Sequence, residues 1–168
     1  MRQAETPGAA WPESVQRVAA ALAAAGHPHP PRWLEVAART SQQAADALGV
    51  QVGQIAKSVI FRRVADEAAV LVVASGDRRV DEAKVAAVTG ALARADSAFV
   101  KARTGYAIGG VPPLAHASAP VTLIDQDLLR FDRIWAAAGH PNAVFALAPV
   151  DLQRLTGAPM ADVAASTA

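Results

Sequence analysis

The first apolar segment of the chain has the periodicity of a helix. Its apolar positions recur at i, i+3, i+4 and i+7, which places their side chains on one helix face: Val15, Val18, Ala19 and Leu22. Pro12 suits the first turn, because the N–H that proline lacks has no helical partner there. Gly26 ends the segment. The pattern predicts a helix over residues 12–25 with one buried face.

Two later segments have the composition of neighbouring strands. Residues 55–62 are apolar and β-branched, and residues 69–74 (AVLVVA) are apolar without alternation. A short continuous apolar run is typical of a strand that is covered on both faces. Asp66 and Glu67, between the two segments, favour a turn. We therefore expect a hairpin.

The other elements alternate without a regular period. We expect strands at residues 32–36, 121–124, 134–137 and 143–147, helices at 40–48, 81–89, 96–104 and 149–156, and one helical turn at 125–129. Thr40 and Gln43 have the spacing of a capping box. The strands are too closely spaced for regular βαβ units. The pattern predicts one α/β domain over residues 11–168 with a mixed or mostly antiparallel sheet, preceded by a flexible arm at residues 1–10.

Composition narrows the class of protein. A chain of 168 residues fits one domain, and 52% hydrophobic with 18% charged residues excludes a disordered chain. The absence of cysteine excludes thiol nucleophiles and cysteine metal sites. A net charge of +1 gives no strong global attraction for nucleic acid, although a local basic patch remains open. Without a signal-peptide pattern or a long apolar run, we expect a cytoplasmic protein.

Lys57 lies in an apolar face of the first hairpin strand. Because side chains alternate along a strand, it shares its face with Ile55, Val59 and Phe61. A buried ammonium is costly unless it is paired or opens into a wet cavity. Two interpretations follow: a cation aimed at an anionic ligand such as a phosphate, or a lysine that reaches solvent or a distant carboxylate.

The segment TGYAIGGVPP, residues 104–113, combines two adjacent glycines with two prolines. Gly109 and Gly110 permit positive φ and close approach of a ligand to the backbone, and Pro112 and Pro113 stiffen the exit. A rigid loop with free N–H groups can hold a carbonyl, an oxyanion or a ribose hydroxyl. A plain tight turn has the same composition, so the loop alone leaves both alternatives open.

The histidines carry less information. His27 and His29 lie in a proline-rich stretch, which we expect to be an extended connector without a metal. His116 could face solvent, and His140 either points into a site or completes a turn between two strands. The sequence contains no nucleophile–base signature, no paired carboxylates at helical spacing and no HExxH.

Two basic pairs flank the predicted hairpin strands. Arg62-Arg63 ends the first strand and Arg78-Arg79 follows the second. The acids between them favour a solvated face, but the pairs would form a phosphate-binding rim if the two ends met in space. Aromatic residues are only 5% of the chain, which disfavours a stacking platform for single-stranded RNA.

Several segments, taken together and in order, resemble one family: AADALGV, GQIAKSVIF, LVVASGDRRVD, TGYAIGGVPP, AAGHPNAVF and PVDLQRLTGA. From about residue 32 to residue 160 the chain is similar to the YbaK / prolyl-tRNA synthetase editing-domain family, the INS superfamily. It is too short to hold a synthetase and so resembles the free-standing members that edit in trans. The resemblance implies a YbaK-like α/β fold, with a mixed, mostly antiparallel, barrel-like sheet surrounded by helices.

The resemblance also implies roles for individual residues. Lys57 in GQIAKS matches the family's strand lysine, residues 109–113 match its G-x-x-x-P loop, and His140 matches a histidine often found near the substrate amino acid. The lysine would hold the phosphate of the terminal adenosine, and N–H groups of residues 108–111 would polarise the ester carbonyl. The candidate catalytic residues are Lys57, Gly109 and Gly110, and the candidate substrate-binding residues are Ile108, Val111, Pro112, Pro113 and His140.

The implied activity is deacylation of mischarged tRNA, without metal or cofactor. Alanine on the tRNA for proline is the first expectation, and cysteine on that tRNA, or serine or threonine, are the alternatives. The expected partners are the acceptor end of tRNA and prolyl-tRNA synthetase, and we expect a monomer away from membranes. A non-catalytic acceptor-end binding module and a small-nucleotide-binding protein are the competing classes.

Overall fold

A computed structural model describes residues 11–166. The predicted arm, residues 1–10, lies outside the described residues. The helices of the described part are α1 Glu13–Ala24, α2 Ser41–Leu48, α3 Glu82–Thr89, α4 Ser97–Thr104 and α5 Pro149–Thr156. Its strands are β1 Arg32–Trp33, β2 Ile55–Arg63, β3 Ala69–Ser75, β4 Leu92–Arg94, β5 Val121–Asp125, β6 Ile134–His140, β7 Ala143–Leu147 and β8 Met160–Ala161.

Side-chain caps fix the starts of three helices where the sequence predicts them. Asp81 and Asp96 accept hydrogen bonds from backbone N–H groups in the first turns of α3 and α4. At α2 the Thr40 hydroxyl accepts from the Gln43 N–H at 3.1 Å. The predicted capping box differs in one detail, because the Gln43 side chain accepts from the Arg39 N–H rather than from that of Thr40.

The strands form one mixed sheet in the order β1-β7-β6-β2-β3-β5-β8, with β4 also paired to β2. Four of its pairings are antiparallel and three are parallel. The predicted hairpin is confirmed: β2 and β3 pair antiparallel from Ala56↔Ser75 to Arg62↔Ala69. Every residue of β3 is buried, as its unbroken apolar run predicts. The mixed, mostly antiparallel α/β fold is therefore confirmed.

One edge of β2 is only partly paired. Its first residues, Ile55 and Ala56, pair with β6, and its last three pair with β4. Between these contacts, residues 57–60 have no strand partner on that edge within the described part of the chain. The sheet therefore opens between β2 and β6, and the opening includes Lys57.

The two faces of β2 pack against different clusters. Ala56 and Ile60 face the main core, which includes the buried side of α1. Ile55 packs with the cluster under α2, and Phe61 packs with the cluster under α3. Lys57 lies in sequence between these last two residues, on their face. The predicted alternation is confirmed, and Lys57 is a charge in an otherwise apolar face.

The two basic pairs do not meet to form a phosphate-binding rim, the alternative that the sequence left open beside the favoured solvated face. In the hairpin register Arg62 lies opposite Ala69, beside the turn, whereas Arg78 follows the other end of β3. Antiparallel pairing therefore separates the pairs by the length of the hairpin. In addition, Arg62, Arg63 and Arg78 form ion pairs with nearby carboxylates.

Three further differences have local causes. The predicted strand 32–36 is shortened to β1, two residues long, and β4 and β8 were not predicted because strands of two or three residues carry too little periodicity. The predicted helical turn at 125–129 is a 3-10 turn over Gln126–Arg130.

Across residues 11–166 every helix is too short or too polar to cross a bilayer.

Candidate active site

A cavity of about 750 Å³ lies where β2 and β6 separate. Its walls include five of the eight predicted site residues: Lys57, Ile108, Gly109, Val111 and His140. They come from a strand, a loop and the end of a second strand, so only the fold brings them together. None of the described residues that line the cavity is acidic.

Lys57 presents to this cavity an ammonium that has no partner among residues 11–166. The side chain is partly buried, and its Nζ forms no hydrogen bond or ion pair with residues 11–166. Burial lowers the pKa of Lys57, and the charges of Asp125 and Asp77 partly oppose that shift. Lys57 pairs with Ala74, and continuing the β3–β5 register by one residue places Asp125 beside Ala74 on the same face. Partial burial of the ammonium therefore costs free energy of desolvation, and the ammonium remains available to bind an anion.

The glycine loop is fixed against the end of β6. Gly109 has φ +100°, which a residue with a side chain rarely adopts. At Gly110 a Cβ would lie 2.7 Å from the His140 N and 2.8 Å from its Cα. The Gly139 N–H donates to the Gly110 O at 2.9 Å. Each glycine is thus required for a separate reason: Gly109 for its backbone conformation and Gly110 for close packing.

The structure corrects one detail of the predicted donor loop. The Gly110 N–H donates to the Ala107 O at 3.1 Å, because residues 107–110 form a turn, so it is not a free donor. The N–H groups of Ile108, Gly109 and Val111 have no hydrogen-bond partner among the described residues. Three backbone donors, rather than four, remain available in this loop.

The two prolines that follow the glycines make the end of the loop rigid but do not line the cavity. Pro112 and Pro113 are buried and do not belong to its walls. His116, which the sequence allows to face solvent, is instead partly buried, and its Nε2 donates to the Pro112 O at 2.6 Å. The Tyr106 hydroxyl donates to the Ala115 O at 2.7 Å. The prolines therefore support the loop rather than line the cavity.

His140 is oriented by a bulge and by two contacts. The β6–β7 register shifts between Ala137 and His140. The His140 Nδ1 accepts from the Asn142 N–H at 3.0 Å, so the neutral ring carries its proton on Nε2. Its ring lies against that of Trp33, with centroids 5.0 Å apart. The ring is thus a neutral donor in the cavity wall.

Arg39 and burial act together on this ring. Burial, and to a lesser extent the charge of Arg39, lowers the pKa of His140 below its ordinary 6.5. The folded chain therefore binds fewer protons than the unfolded chain as pH falls from 6.5 through the folded pKa, and stability decreases there. We expect Arg39→Gln to raise the pKa of His140 while leaving it below 6.5, because burial is the larger cause.

An NMR titration of the His140 ring protons measures this shift directly. Arg79→Gln is the matched control, because Arg79 is exposed and does not line the cavity. An unchanged pKa in Arg39→Gln, or a wild-type pKa above 6.5, would contradict the electrostatic role of Arg39.

Sequence reasoning missed two polar groups of the cavity walls. Ser58, beside Lys57 in β2, has a buried Oγ without a hydrogen-bond partner among the described residues, and Trp135 in β6 has a buried Nε1 in the same condition. Strand alternation places Ser58 toward the core, and that signal could have identified it. Arg39 also lines the cavity, but an exposed arginine before a helix gives no sequence signal.

The remaining histidines have structural contacts. His27 is 7% exposed, and its Nε2 donates to the Ala146 O at 2.8 Å. Its ring also contacts those of His29 and Phe145. Within residues 11–166 there is no group of three or more His, Asp or Glu side chains that could hold a metal ion.

Comparison with known proteins identifies the family of this chain. The model of the aminoacyl-tRNA editing domain matches residues 35–155. An uncharacterised protein of Bacillus subtilis strain 168, YwhH, is 37% identical over 123 residues, which are 73% of this chain and 78% of that protein.

Two crystal structures are similar over most of both chains. One, described as a candidate trans-editing enzyme for prolyl-tRNA synthetase, has a TM-score of 0.86 and 38% identity, covering 93% of this chain and 99% of that one. The other, the hypothetical protein APE2540, has a TM-score of 0.80 and 32% identity, covering 89% of this chain and 99% of that one. The matched segment contains Lys57, the glycine loop and His140, and the chain belongs to the aminoacyl-tRNA editing domain family.

Proposed function

We propose that this protein is a trans-editing deacylase that hydrolyses the ester of mischarged tRNA. One observation carries the proposal: within residues 11–166, an ammonium without a partner lines the same cavity as three residues whose backbone N–H groups have no hydrogen-bond partner, and the described walls contain no acidic residue. An aminoacyl-tRNA end carries an anionic phosphate and an ester carbonyl close together. The cation and the donors match these two groups.

The proposed mechanism needs positioning more than a strong nucleophile. Lys57 binds the phosphate of the terminal adenosine and so fixes the ester in the cavity. The N–H groups of Ile108, Gly109 and Val111 face the carbonyl oxygen, where negative charge develops. Water adds to the carbonyl carbon, the bond from that carbon to the ribose oxygen breaks, and the proton from water passes to the ribose oxygen. The free ribose hydroxyl of the tRNA assists the proton transfer.

Alanine is the proposed amino acid. Apolar side chains, including those of Val111, Ala136 and Ala143, line the cavity. They suit a methyl group, whereas Ser58 Oγ and Trp135 Nε1, which have no partner among the described residues, would serve a serine or threonine hydroxyl, and the deacylation panel separates the two outcomes. Prolyl-tRNA synthetase, as the source of alanine mischarged to the tRNA for proline, is the proposed functional partner.

A deacylation panel tests the proposal. The purified protein is incubated with the tRNA for proline carrying alanine, 2-aminobutyrate, cysteine, serine or threonine, and with tRNAs for alanine and threonine carrying their own amino acids. Alanine is expected to be released fastest, and about 10- to 200-fold faster than 2-aminobutyrate, which is one methylene larger. Faster release of cysteine, serine or threonine would reassign the amino acid.

Two other results would reject hydrolysis. Tight tRNA binding with no release above buffer would favour a non-catalytic acceptor-end binding module. Retention of adenosine monophosphate with the same affinity as an aminoacyl-adenosine analogue, again without hydrolysis, would favour a small-nucleotide-binding protein.

A further inference from the structure

A second, smaller groove lies on the other side of the glycine loop. Its volume is about 300 Å³, and it shares four wall residues with the main cavity: Arg39, Ile108, His140 and Pro141. Gly109 lines only the main cavity and Gly110 lines only the groove. The loop therefore forms a crest between two adjacent depressions.

Cations surround this groove. Arg39 and Lys101 lie in its walls. The Arg17 guanidinium donates to the Gly105 O at 3.2 Å and lies 4.8 Å from the centroid of the Tyr106 ring, and Gly105 and Tyr106 are both wall residues. Arg17, Arg39 and Lys101 are all exposed. Together they give the groove three positive charges at or beside its surface.

These three cations have no acidic partners among residues 11–166, since none forms an ion pair within 4 Å. No acidic residue lines the groove, and Glu13, next to its wall residue Ser14, is exposed and unpaired within the described part. Elsewhere in residues 11–166, six basic side chains form ion pairs (Arg62, Arg63, Arg78, Lys84, Arg130 and Arg154) and six do not (Arg32, Lys57, Arg79, Arg94, Arg103 and Arg133), but none of these twelve lines the groove. A chain with a net charge of only +1 thus keeps unpaired positive charge beside this opening.

We propose that Arg17, Arg39 and Lys101 bind the sugar–phosphate backbone of the tRNA nucleotides that precede the terminal adenosine. The acceptor strand then crosses the Gly109–Gly110 crest and delivers its aminoacyl end to Lys57. Cations that have no carboxylate partner can bind phosphates without breaking an ion pair, and they release the counterions of the RNA. This inference rests on the proposed function, because it takes the main cavity as the site of the ester.

The double variant Arg17→Gln/Lys101→Gln tests this surface, with Arg79→Gln as the control for loss of an exposed arginine elsewhere. The dissociation constant for uncharged tRNA for proline is measured at several salt concentrations. We expect the double variant to bind about 10-fold more weakly, since two solvent-exposed contacts with phosphate are lost and each contributes less than a buried charged hydrogen bond. The slope of log Kd against log salt concentration should fall by about 1.5–2.

A small substrate distinguishes an effect on binding in the groove from an effect on catalysis in the main cavity. Hydrolysis of the 3′-alanyl ester of adenosine 5′-monophosphate, which lacks the preceding nucleotides, is expected to be the same in the double variant and the wild type. The charge-preserving variant Arg17→Lys/Lys101→Arg should restore tRNA binding, and melting temperatures establish that every variant is folded.

Unchanged tRNA affinity and salt slope in the double variant would overturn the proposed surface, as would a wild type that does not bind tRNA. If the wild type binds tRNA through these cations but hydrolyses neither ester, the proposed function fails while the surface stands. If both esters are hydrolysed and the double variant is indistinguishable from Arg79→Gln, the surface fails while the proposed function stands.

Discussion

Lys57→Met is expected to lower kcat/KM for alanyl-tRNA by about 100-fold, because the ester is no longer fixed next to the loop donors. The replacement keeps the length and the apolar stem of the side chain and removes only the charge. The ammonium has no hydrogen bond or ion pair with residues 11–166, so its loss leaves no carboxylate of that part unpaired. Single-turnover deacylation measures the effect.

The same substitution should not destabilise the fold. Burial lowers the pKa of Lys57, so the unfolded chain holds this proton more tightly than the folded chain does. Stability therefore rises with pH between the folded pKa and the ordinary value of 10.5. At pH 7, below the ordinary value of 10.5, the folded state bears the cost of the partly buried ammonium. The Tm of Lys57→Met should equal or exceed that of the wild type at this pH.

Lys84→Met is the matched control for Lys57→Met. Lys84 lies in α3, where its Nζ donates to Asp162 at 3.0 Å and to the Ala164 O at 2.8 Å, and it does not line either depression. Its replacement should lower Tm slightly and leave deacylation unchanged. A Lys57→Met protein with the wild-type rate would refute the phosphate-binding role.

Gly110→Ala is expected to reduce kcat/KM by about 100-fold by displacing the donor loop. The added Cβ would lie 2.7 Å from the His140 N, 2.8 Å from the His140 Cα and 3.0 Å from the Gly139 C. All three are backbone atoms, so the loop or the end of β6 must move. Overpacking of this kind costs about 1–3 kcal/mol, which corresponds to a fall in Tm of roughly 2–12 °C.

Gly157→Ala separates the effect on stability from the effect on activity. Gly157 follows α5 with φ +70°, and a Cβ there would meet nothing within 4 Å. The left-handed backbone should still lower the free energy of unfolding by about 1–2 kcal/mol, seen as a lower Tm. The rate of deacylation should not change. If Gly110→Ala loses no more activity than Gly157→Ala, the close packing of the loop on β6 does not position the donors.

Much of the fold was predictable because the local signals agree with the tertiary structure. Asp81 and Asp96 start their helices through their own side chains, and the apolar run of β3 identifies a strand buried on both faces. β4 is different, because three residues show no period and the strand exists only through its pairing with β2.

The candidate site was predictable only in part. Charge in an apolar strand and paired glycines made Lys57 and the loop candidates, but each pattern left a structural alternative open, and only the family resemblance favoured a functional role. The sequence could not show that Gly110 uses its N–H within the loop, because that hydrogen bond depends on the turn at residues 107–110. Nor could it show that Arg17, near the start of the chain, contacts Gly105. Such long-range contacts depend on how α1 packs against the sheet.

The most direct test of the proposed role of Lys57 measures how much one phosphate group of a bound ligand contributes to the binding affinity. Calorimetry would compare 3′-alanylamino-3′-deoxyadenosine, a non-hydrolysable analogue, with and without its 5′-phosphate, in the wild type and in Lys57→Met. We expect the phosphate to strengthen binding to the wild type by about 10- to 100-fold, as a charged hydrogen bond does, and to have little effect in the variant. An equal gain from the phosphate in both proteins would contradict the claim that Lys57 holds the terminal phosphate beside the glycine loop.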